Sequence, residues 1–195
     1  MSAFFSLLLP MVQAAPPDQG VSWETLLSSP VHIECATVDG TPWCRSTGVI
    51  GAPLGDVSHA IGDMRHNADK FENVLKIDII DPDTVRVVLD YPQPLSDRDY
   101  VARYTRLTDG EATVYRWEPV PGAAPAEAGV VRLPNFAGEW RFEPVDASST
   151  RVRYTWHAEI NGSFPAFAYE TAWKRAGQEA LKDLAKTQGA SLNAP

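Results

Sequence analysis

The chain carries no cluster of Lys and Arg residues and no apolar run long enough to cross a bilayer. Its 25 acidic residues outnumber 17 basic residues, which gives a net charge of −8. A nucleic-acid-binding domain usually shows a basic patch, and a membrane-spanning helix needs about 20 apolar residues in a row. Hydrophobic residues at 44% and charged residues at 22% of the 195 positions are ordinary globular values. The composition therefore predicts one folded domain that does not bind nucleic acid.

Motifs for several kinds of catalysis are also absent. The chain contains no His-Glu-x-x-His zinc motif, no Gly-x-Ser-x-Gly nucleophile motif and no glycine-rich phosphate loop. A metal site would need several converging His or carboxylate ligands. The histidines are instead scattered, at His32, His59, His66 and His157, and His157 is predicted to face solvent. We therefore predict no catalytic residue, no metal and no cofactor.

The N-terminus carries a short apolar stretch without a basic flank. Phe4–Val12 is apolar and precedes Gln13-Ala14-Ala15, which is similar to the apolar region and cleavage site of a secretory signal. The first basic residue of the chain is Arg45. We predict that residues 1–20 are a signal-like or disordered segment with a linker, and that the protein is periplasmic or secreted. A floppy apolar tail on a cytoplasmic protein is the alternative.

Two strand-like runs bring the only two cysteines of the sequence together. Val31–Val38 and Thr41–Ile50 flank Asp39-Gly40, a dipeptide typical of a two-residue type I′ hairpin turn. The register of such a turn places Cys35 opposite Cys44 on a closely spaced, non-hydrogen-bonded pair of positions. That spacing suits a cross-strand disulfide, which is typical of an oxidising compartment. Two reduced, packed thiols are the alternative.

The remaining elements show no regular alternation of strand and helix, so a parallel sheet is not expected. Helices are predicted from Pro53 to about Arg65 and from Pro165 to about Lys186, and Trp23–Leu27 is predicted to form one or two helical turns. Pro119–Ala128 is predicted as a loop. The predicted antiparallel strands are Val74–Ile80, Thr84–Leu89, Asp99–Leu107, Ala112–Glu118, Gly129–Leu133, Gly138–Glu143 and Thr150–Ile160.

Side-chain alternation separates the two faces of this sheet. Apolar and aromatic residues share one face: Tyr100, Tyr104, Trp140, Phe142, Val152, Tyr154 and Trp156. Asp99, Glu139 and His157 point to the opposite face, which is predicted to be solvated. The C-terminal helix carries alanines at four-residue spacing: Ala168, Ala172, Ala176 and Ala180. We predict an α+β fold in which a curved antiparallel sheet wraps around one long C-terminal helix.

Three motifs in this order resemble the StAR-related lipid-transfer (START) family of the helix-grip (SRPBCC-like) superfamily. They are Pro94–Val101, the run Gly138–Pro144 followed by Thr150–Tyr154, and the Asn161–Pro165 turn before the C-terminal helix. The resemblance covers about Val31 to Leu184. It implies a START-like lipid-binding domain over residues 21–188, followed by a disordered tail at 189–195.

The START resemblance implies an internal apolar cavity that binds, and transfers, a lipid or sterol-like molecule. The residues expected to contact that ligand are Tyr100, Tyr104, Trp140, Phe142, Val152, Tyr154, Trp156, Ala172, Ala176 and Ala180. The cavity entrance is expected at the Pro119–Ala128 loop and the C-terminal helix. The residues alone leave one alternative open, in which the alanines simply let the helix pack closely on the sheet.

A helix-grip enzyme, cyclase-like or hydrolase-like, is the second class of function. Such an enzyme would act on a polycyclic or polyketide-like substrate and would need a polar pair on the inward face. The sequence does not fix the directions of Arg106, Arg116 and Arg132, and arginines at sheet edges usually reach towards solvent. We expect a monomer whose partner is a hydrophobic small molecule, with transient membrane contact.

Overall fold

The computed structural model describes residues 16–17, 20–63 and 70–195. In these ranges the strands are β1 (Glu24–Leu27), β2 (His32–Val38), β3 (Thr41–Ile50), β4 (Val74–Ile79), β5 (Thr84–Leu89), β6 (Arg98–Asp109), β7 (Ala112–Pro119), β8 (Val131–Arg132), β9 (Gly138–Asp146), β10 (Ser149–His157) and β11 (Leu192–Asn193). The helices are α1 (Leu54–Gly62), a short 3-10 helix (Ala166–Ala168) and α2 (Tyr169–Thr187). The predicted curved antiparallel sheet with one long C-terminal helix is confirmed.

The strands form one sheet, in the order β1-β2-β3-β10-β9-β7-β6-β5-β4, with β11 paired to β3 and β8 paired to β6. The β6–β8 pair is parallel, with Arg98 opposite Val131. The prediction that all strands run antiparallel is therefore wrong at β8. Between β6 and β8 the chain reverses direction twice, first at the β6–β7 turn and again in the loop 120–130, so β8 runs alongside β6 in the same direction.

The β2–β3 hairpin has the register that its turn predicts. Asp39 and Gly40 adopt positive φ angles of 50° and 80°, as a type I′ turn requires. Cys35 lies opposite Cys44, their Cα atoms are 4.1 Å apart, and the two sulfurs form a disulfide. The predicted pairing is therefore present in the structure.

Helix α2 packs against the apolar face of the sheet and approaches it most closely at Gly177. A Cβ atom added at Gly177 would lie 3.0 Å from Trp156 and 3.1 Å from Ile33. Leu181 and Leu184, one and two turns further on, are fully buried in the core. The C-terminal half of α2 therefore fills the space over β2, β3 and β10, while its N-terminal half leaves space over the neighbouring strands.

Two predictions at the chain ends are wrong. Trp23–Leu27 is predicted to be helical, but it contains the edge strand β1, in which Glu24 lies opposite Cys35. A strand forms here because the open edge of β2 offers backbone hydrogen bonds, whereas a helix of one or two turns is unstable by itself. The tail 189–195, predicted to be disordered, contains β11, in which Leu192 lies opposite Ile50. The predicted signal-like stretch and the end of the first helix, at residues 64–65, lie outside the described residues.

The prediction of a solvated outer face is wrong at three residues. Asp99 is only 1% exposed, because Arg86 and Arg132 both donate hydrogen bonds to its carboxylate. Glu139 is buried beside Arg116, whose Nη2 lies 2.6 Å from its carboxylate. His157 is buried edge-on against Trp43, with ring centroids 5.5 Å apart, and burial lowers the pKa of His157 to about 4. Alternation along a strand shows the direction of a side chain but not what covers it.

Candidate functional site

A cavity of about 600 Å³ lies between the sheet and the N-terminal half of α2. Its wall on the sheet side is largely aromatic, and its wall on the helix side presents alanines, with charged residues of α2 beside them. The lining residues include Val87, Tyr91, Leu95, Tyr100, Tyr104, Trp117, Phe136, Trp140, Tyr154, Trp156, Phe164, Ala168, Ala172, Ala176 and Ala180. Cavities of about 300–1,000 Å³ with apolar linings are typical sites for small molecules.

Most residues expected to contact a ligand lie together on this cavity. Those that line it are Tyr100, Tyr104, Trp140, Tyr154, Trp156, Ala172, Ala176 and Ala180. Phe142 and Val152 do not line it, because they lie fully buried in the hydrophobic core further along β9 and β10. The alternation correctly placed both side chains on the apolar face of the sheet, but it could not show where along the strands the cavity ends.

The aromatic wall consists of rings that stack across neighbouring strands. The ring of Tyr154 lies 4.2 Å from that of Trp140 and 4.8 Å from that of Trp156, with interplanar angles of 29° and 15°. The Trp117 ring lies 5.7 Å from that of Tyr154, at an interplanar angle of 20°. Tyr104 stacks on Trp117 at 5.8 Å. These nearly parallel rings present a continuous aromatic surface to the cavity.

Gly138 on β9 makes this stack possible. Trp117 lies on β7 and Tyr154 on β10, with β9 between them in the sheet. A Cβ atom at Gly138 would clash with the Trp117 indole and with the backbone oxygen of Thr155, each of which would be 2.3 Å away. Because Gly138 carries no side chain, the indole can extend across β9 to reach Tyr154.

Helix α2 presents two different faces at neighbouring positions. Ala172, Ala176 and Ala180 line the cavity, whereas Gly177 is buried against Trp156 and the sheet. The alanines therefore do not mark the closest contact between helix and sheet. Close packing occurs at Gly177, and the alanine side of the helix borders open volume.

Two tyrosine hydroxyls form a hydrogen bond inside the cavity. Tyr100 and Tyr104 are four residues apart on β6, and their oxygens are 3.1 Å apart. Burial raises the pKa of Tyr100 well above its usual value, and Tyr104 raises it further. Burial also raises the pKa of Tyr104 and that of Tyr154, where Tyr100 contributes to the rise. These phenols therefore stay protonated and neutral at physiological pH.

The rim of the cavity carries its charged groups. Glu72, Asp90 and Arg175 line the cavity and are exposed to solvent. The Nε atom of Arg175 donates a hydrogen bond of 2.6 Å to the Glu179 carboxylate. The segment 70–74 is held to α2 because the Glu72 amide donates to Asp183 at 2.9 Å. The sequence patterns missed these residues, because Glu72 and Asp90 lie in connections with no periodicity and the charged residues of α2 belong to no motif.

Arg98 fastens two further parts of the rim together. Its guanidinium is 2% exposed and donates to the backbone oxygens of Ser96, Ile160 and Asn161. It also lies 4.4 Å from the centre of the Tyr91 ring, which lines the cavity. The loop before β6 and the turn before α2 are therefore joined through one buried cation.

The Pro119–Ala128 loop does not lie at the cavity, so its expected role at the entrance is wrong. None of its residues lines the cavity. Arg132 donates to the backbone oxygens of Ala124 and Pro125, and Arg86 lies 2.8 Å from the carboxylate of Glu127. These contacts fix the loop over the buried Asp99 on the outer face. The rim is instead formed by segments 71–74 and 89–95, Phe164 and α2.

The three arginines of unassigned direction also lie away from the cavity. Arg132 pairs with Asp99 and Arg116 pairs with Glu139 on the outer face. Arg106 lies over the Tyr115 ring and lines a smaller second cavity of about 210 Å³. In the described part of the chain, no group of three or more His, Cys, Asp or Glu side chains could hold a metal ion. None of the helices described is both long and apolar enough to span a bilayer.

Comparisons with known proteins agree with this architecture. The family model described as polyketide cyclase/dehydrase and lipid transport matches residues 44–189. The StAR-related lipid transfer protein of Xanthomonas axonopodis has a similar structure, with a TM-score of 0.71 and 26% identity, over 86% of this chain and 98% of that one.

Two more distant structures share the fold. Human StAR-related lipid transfer protein 5 has a TM-score of 0.73 at 18% identity, over 87% of this chain and 86% of that one. The Zhui aromatase/cyclase of Streptomyces sp. R1128 has a TM-score of 0.53 at 18% identity, over 74% of this chain and 92% of that one.

A curated relative matches only part of the chain. An uncharacterized protein of Pseudomonas aeruginosa is 32% identical over 97 residues, which are 49% of this chain and 48% of that protein. The match thus spans about half the length of each protein. The family model, in contrast, matches from within β3 to beyond the end of α2. The chain therefore belongs to the polyketide cyclase/dehydrase and lipid-transport family and has the helix-grip fold of START domains.

Proposed function

We propose that the protein binds a hydrophobic small molecule, lipid or sterol-like, in the cavity between the sheet and α2. The observation that carries the proposal is the open volume of about 600 Å³ between an aromatic wall and the alanines of α2. Protein interiors normally pack without voids of this size. An apolar ligand would bury both its own surface and that of the wall, at about 25 cal/mol per Å².

The chemistry of the cavity supports binding over catalysis. Its deep wall offers aromatic rings and phenols, and the carboxylates and the arginine of its lining lie near the rim. General acid–base catalysis needs a group whose pKa lies near the working pH, whereas burial holds the pKa of Tyr100, Tyr104 and Tyr154 above their usual value. A cyclase-like activity on a polyketide-like substrate is the second candidate, because the family description names polyketide cyclases beside lipid transport.

Tryptophan fluorescence tests the proposed binding directly. Trp117, Trp140 and Trp156 line the cavity, so a bound fluorescent sterol or fatty-acid analogue should quench them or accept energy from them. We expect a saturable signal with at least one member of a broad panel of apolar molecules. A linear, non-saturating response to the entire panel would contradict the proposal.

We also propose that ligand exchange takes place at a membrane surface. Phe167 is 89% exposed in the 3-10 helix, between Phe164 and Ala168 at the cavity rim. An exposed aromatic ring at the mouth of an apolar cavity would insert into the interface of a bilayer. Co-sedimentation with neutral phosphatidylcholine vesicles should fall for Phe167→Asp and stay unchanged for a control variant of an exposed apolar residue that does not line the cavity, Leu107→Asp. Equal sedimentation of both variants with the unaltered protein would contradict membrane contact at this rim.

The disulfide supports the proposal that the protein is exported to an oxidising compartment. Cys35 and Cys44 are bonded in the structure, and such bonds rarely persist in a reducing cytosol. Alkylation of protein isolated from its native host, followed by intact-mass measurement, tests this proposal. Two alkylated thiols without added reductant would place the protein in a reducing compartment.

A further inference from the structure

Strand β4 is an edge of the sheet that carries exposed apolar side chains. Within the described ranges it pairs with β5 alone, at the far end of the sheet from β1. Leu75 is 55% exposed and Ile79 is 56% exposed, and Ile80 directly after the strand is exposed as well. An exposed apolar edge strand is a template on which another strand can pair.

The backbone of β4 directs hydrogen-bonding groups to the open edge at alternate residues. The Ile80 amide donates to the Thr84 oxygen at 3.0 Å, which makes these two residues a hydrogen-bonded pair. Such pairs alternate along an antiparallel ladder, so Asp78 also directs its backbone groups to β5. The N–H and C=O groups of Ile77 and Ile79 therefore point away from β5, to the open edge.

The two edges of the sheet differ in their protection against pairing. Edge strands are usually protected by being short, by bulges and by lysines. Strand β1 has four residues and is interrupted by a bulge. Strand β4 has six residues, and its bulge, between Val74 and Lys76, leaves the rest of the strand regular. Its one lysine is followed two residues later by Asp78, which can neutralise a lysine on a neighbouring strand.

Lys76 and Asp78 make β4 complementary to a second copy of itself. They lie on one face of the strand, with the Lys76 Nζ atom 2.8 Å from the Asp78 carboxylate. In a symmetric dimer, if residue i of one copy faces residue j of the other, then j also faces i. A two-fold axis through Ile77 therefore places Lys76 of each copy opposite Asp78 of the other.

This register satisfies the backbone and the side chains together. Ile77 lies opposite Ile77 of the second copy, and the two pair through their open-edge backbone groups. Lys76 and Asp78 of the second copy occupy a non-hydrogen-bonded pair, at which side chains come closest. Leu75 lies opposite Ile79 of the second copy, so the exposed apolar residues cover each other. Moving the axis to Lys76 or to Asp78 would instead place like charges opposite each other, which destabilises a sheet.

We propose that the protein forms a symmetric homodimer in which two β4 strands pair antiparallel about Ile77. This dimer replaces the monomer expected from the sequence, and it does not depend on what the cavity binds. The two sheets become continuous, and both cavities lie on the same side of the joined sheet because the axis is perpendicular to it. A contact through one pair of strands is small for a specific interface, so we expect a Kd of roughly 1–100 μM.

Sedimentation velocity of the full chain, from about 1 to about 500 μM, measures this association. The average mass should rise from that of one chain to that of two. Lys76→Glu places a glutamate opposite Asp78 of the second copy, and Asp78→Lys places a lysine opposite Lys76. Because each dimer contains the charge pair twice, either variant should raise the Kd about tenfold.

Mixing the two charge variants tests the register. In a dimer of one Lys76→Glu chain and one Asp78→Lys chain, both charge pairs join opposite charges again. The equimolar mixture should therefore dimerise about as tightly as the unaltered protein. Weakening by both single variants, together with recovery on mixing, requires position 76 to lie opposite position 78.

An apolar variant tests the edge independently of charge. Ile79→Asp places a carboxylate opposite Leu75 of the second copy and should abolish dimerisation over the measured range. Leu107→Asp, at an exposed apolar position on β6, is the matched control and should leave the Kd unchanged. Thermal melting is recorded for every variant, since Asp78 also lies 3.5 Å from Arg86. If Asp78→Lys fails to fold, Lys76→Glu and Ile79→Asp decide the outcome.

The possible results separate the parts of the proposal. A mass of one chain at every concentration overturns the dimer. A dimer that Lys76→Glu and Ile79→Asp both leave intact overturns β4 as its interface. A dimer that Ile79→Asp disrupts, but that neither charge variant weakens, overturns the register about Ile77.

Discussion

Enlarging Ala176 separates a ligand cavity from a closely packed core. Ala176 lines the cavity, whereas a Cβ atom added at the adjacent Gly177 would lie 3.0–3.2 Å from three different side chains. The substitution Ala176→Phe places a phenyl ring in the open volume. Gly177→Val places methyl groups where the helix already contacts the sheet. The two changes lie side by side on one helix and have opposite expected effects.

The expected magnitudes follow from the two environments. Overpacking a filled core costs about 1–3 kcal/mol, and in a chain of this length each kcal/mol lowers the Tm by about 2–4 °C. Gly177→Val should therefore lower the Tm by several degrees. Ala176→Phe should change it little, because the ring enters space that is free. A phenyl ring that displaces about 100 Å² of ligand contact removes about 2.5 kcal/mol of binding free energy.

Calorimetry and a binding titration together measure both effects. The Tm is recorded on delipidated protein, and the affinity for a fluorescent sterol analogue is recorded for each variant. We expect Ala176→Phe to lose close to a hundredfold in affinity with a nearly unchanged Tm. A drop in Tm for Ala176→Phe as large as that for Gly177→Val would refute the assignment of this helix face to a cavity wall.

Three further predictions concern stability. Reducing the Cys35–Cys44 disulfide, which closes a loop with a sequence separation of 9, should lower the free energy of unfolding by about 2–3 kcal/mol; identical urea midpoints with and without reductant would contradict this. Burial lowers the pKa of His157 from 6.5 to about 4. Above pH 6.5 His157 is neutral in the folded and the unfolded state, so it does not oppose folding. As the pH falls from 6.5 to 4 the unfolded state gains a proton that the folded state does not, and the free energy of unfolding falls by about 3 kcal/mol. His157→Gln should flatten that part of the pH profile, and a profile parallel to the unaltered protein would show that other groups cause the loss. Arg132→Ala should destabilise the fold by about 3 kcal/mol by leaving buried Asp99 with one partner fewer, and the added change Asp99→Asn should recover part of that loss if charge is the cause.

The sequence correctly predicted the hairpin register and the faces of the strands, because both depend on neighbouring residues. The Asp39-Gly40 turn determined the hairpin register, and the register paired Cys35 with Cys44. Alternation placed Tyr100, Trp140 and Tyr154 on the cavity face correctly, because side chains in a strand point alternately to the two faces.

The errors arose where distant segments cover a residue or replace a local preference. Asp99 is buried because Arg132 and the loop 120–130 cover it, and no pattern around Asp99 indicates that contact. Leu192 forms a strand because β3 has a free edge at Ile50. The extent of the cavity depends on where Gly177 holds α2 against the sheet, which is a property of the assembled fold.

Native mass spectrometry of the purified full chain, followed by organic extraction, tests the central claim most directly. A cavity of about 600 Å³ with an aromatic wall should retain an apolar molecule through purification at close to one per chain, and Ala176→Phe should release it. The account predicts a mass increment that disappears on extraction, with a neutral apolar compound recovered in the organic phase. A chain of unliganded mass that also fails to take up any apolar molecule added in excess would contradict it.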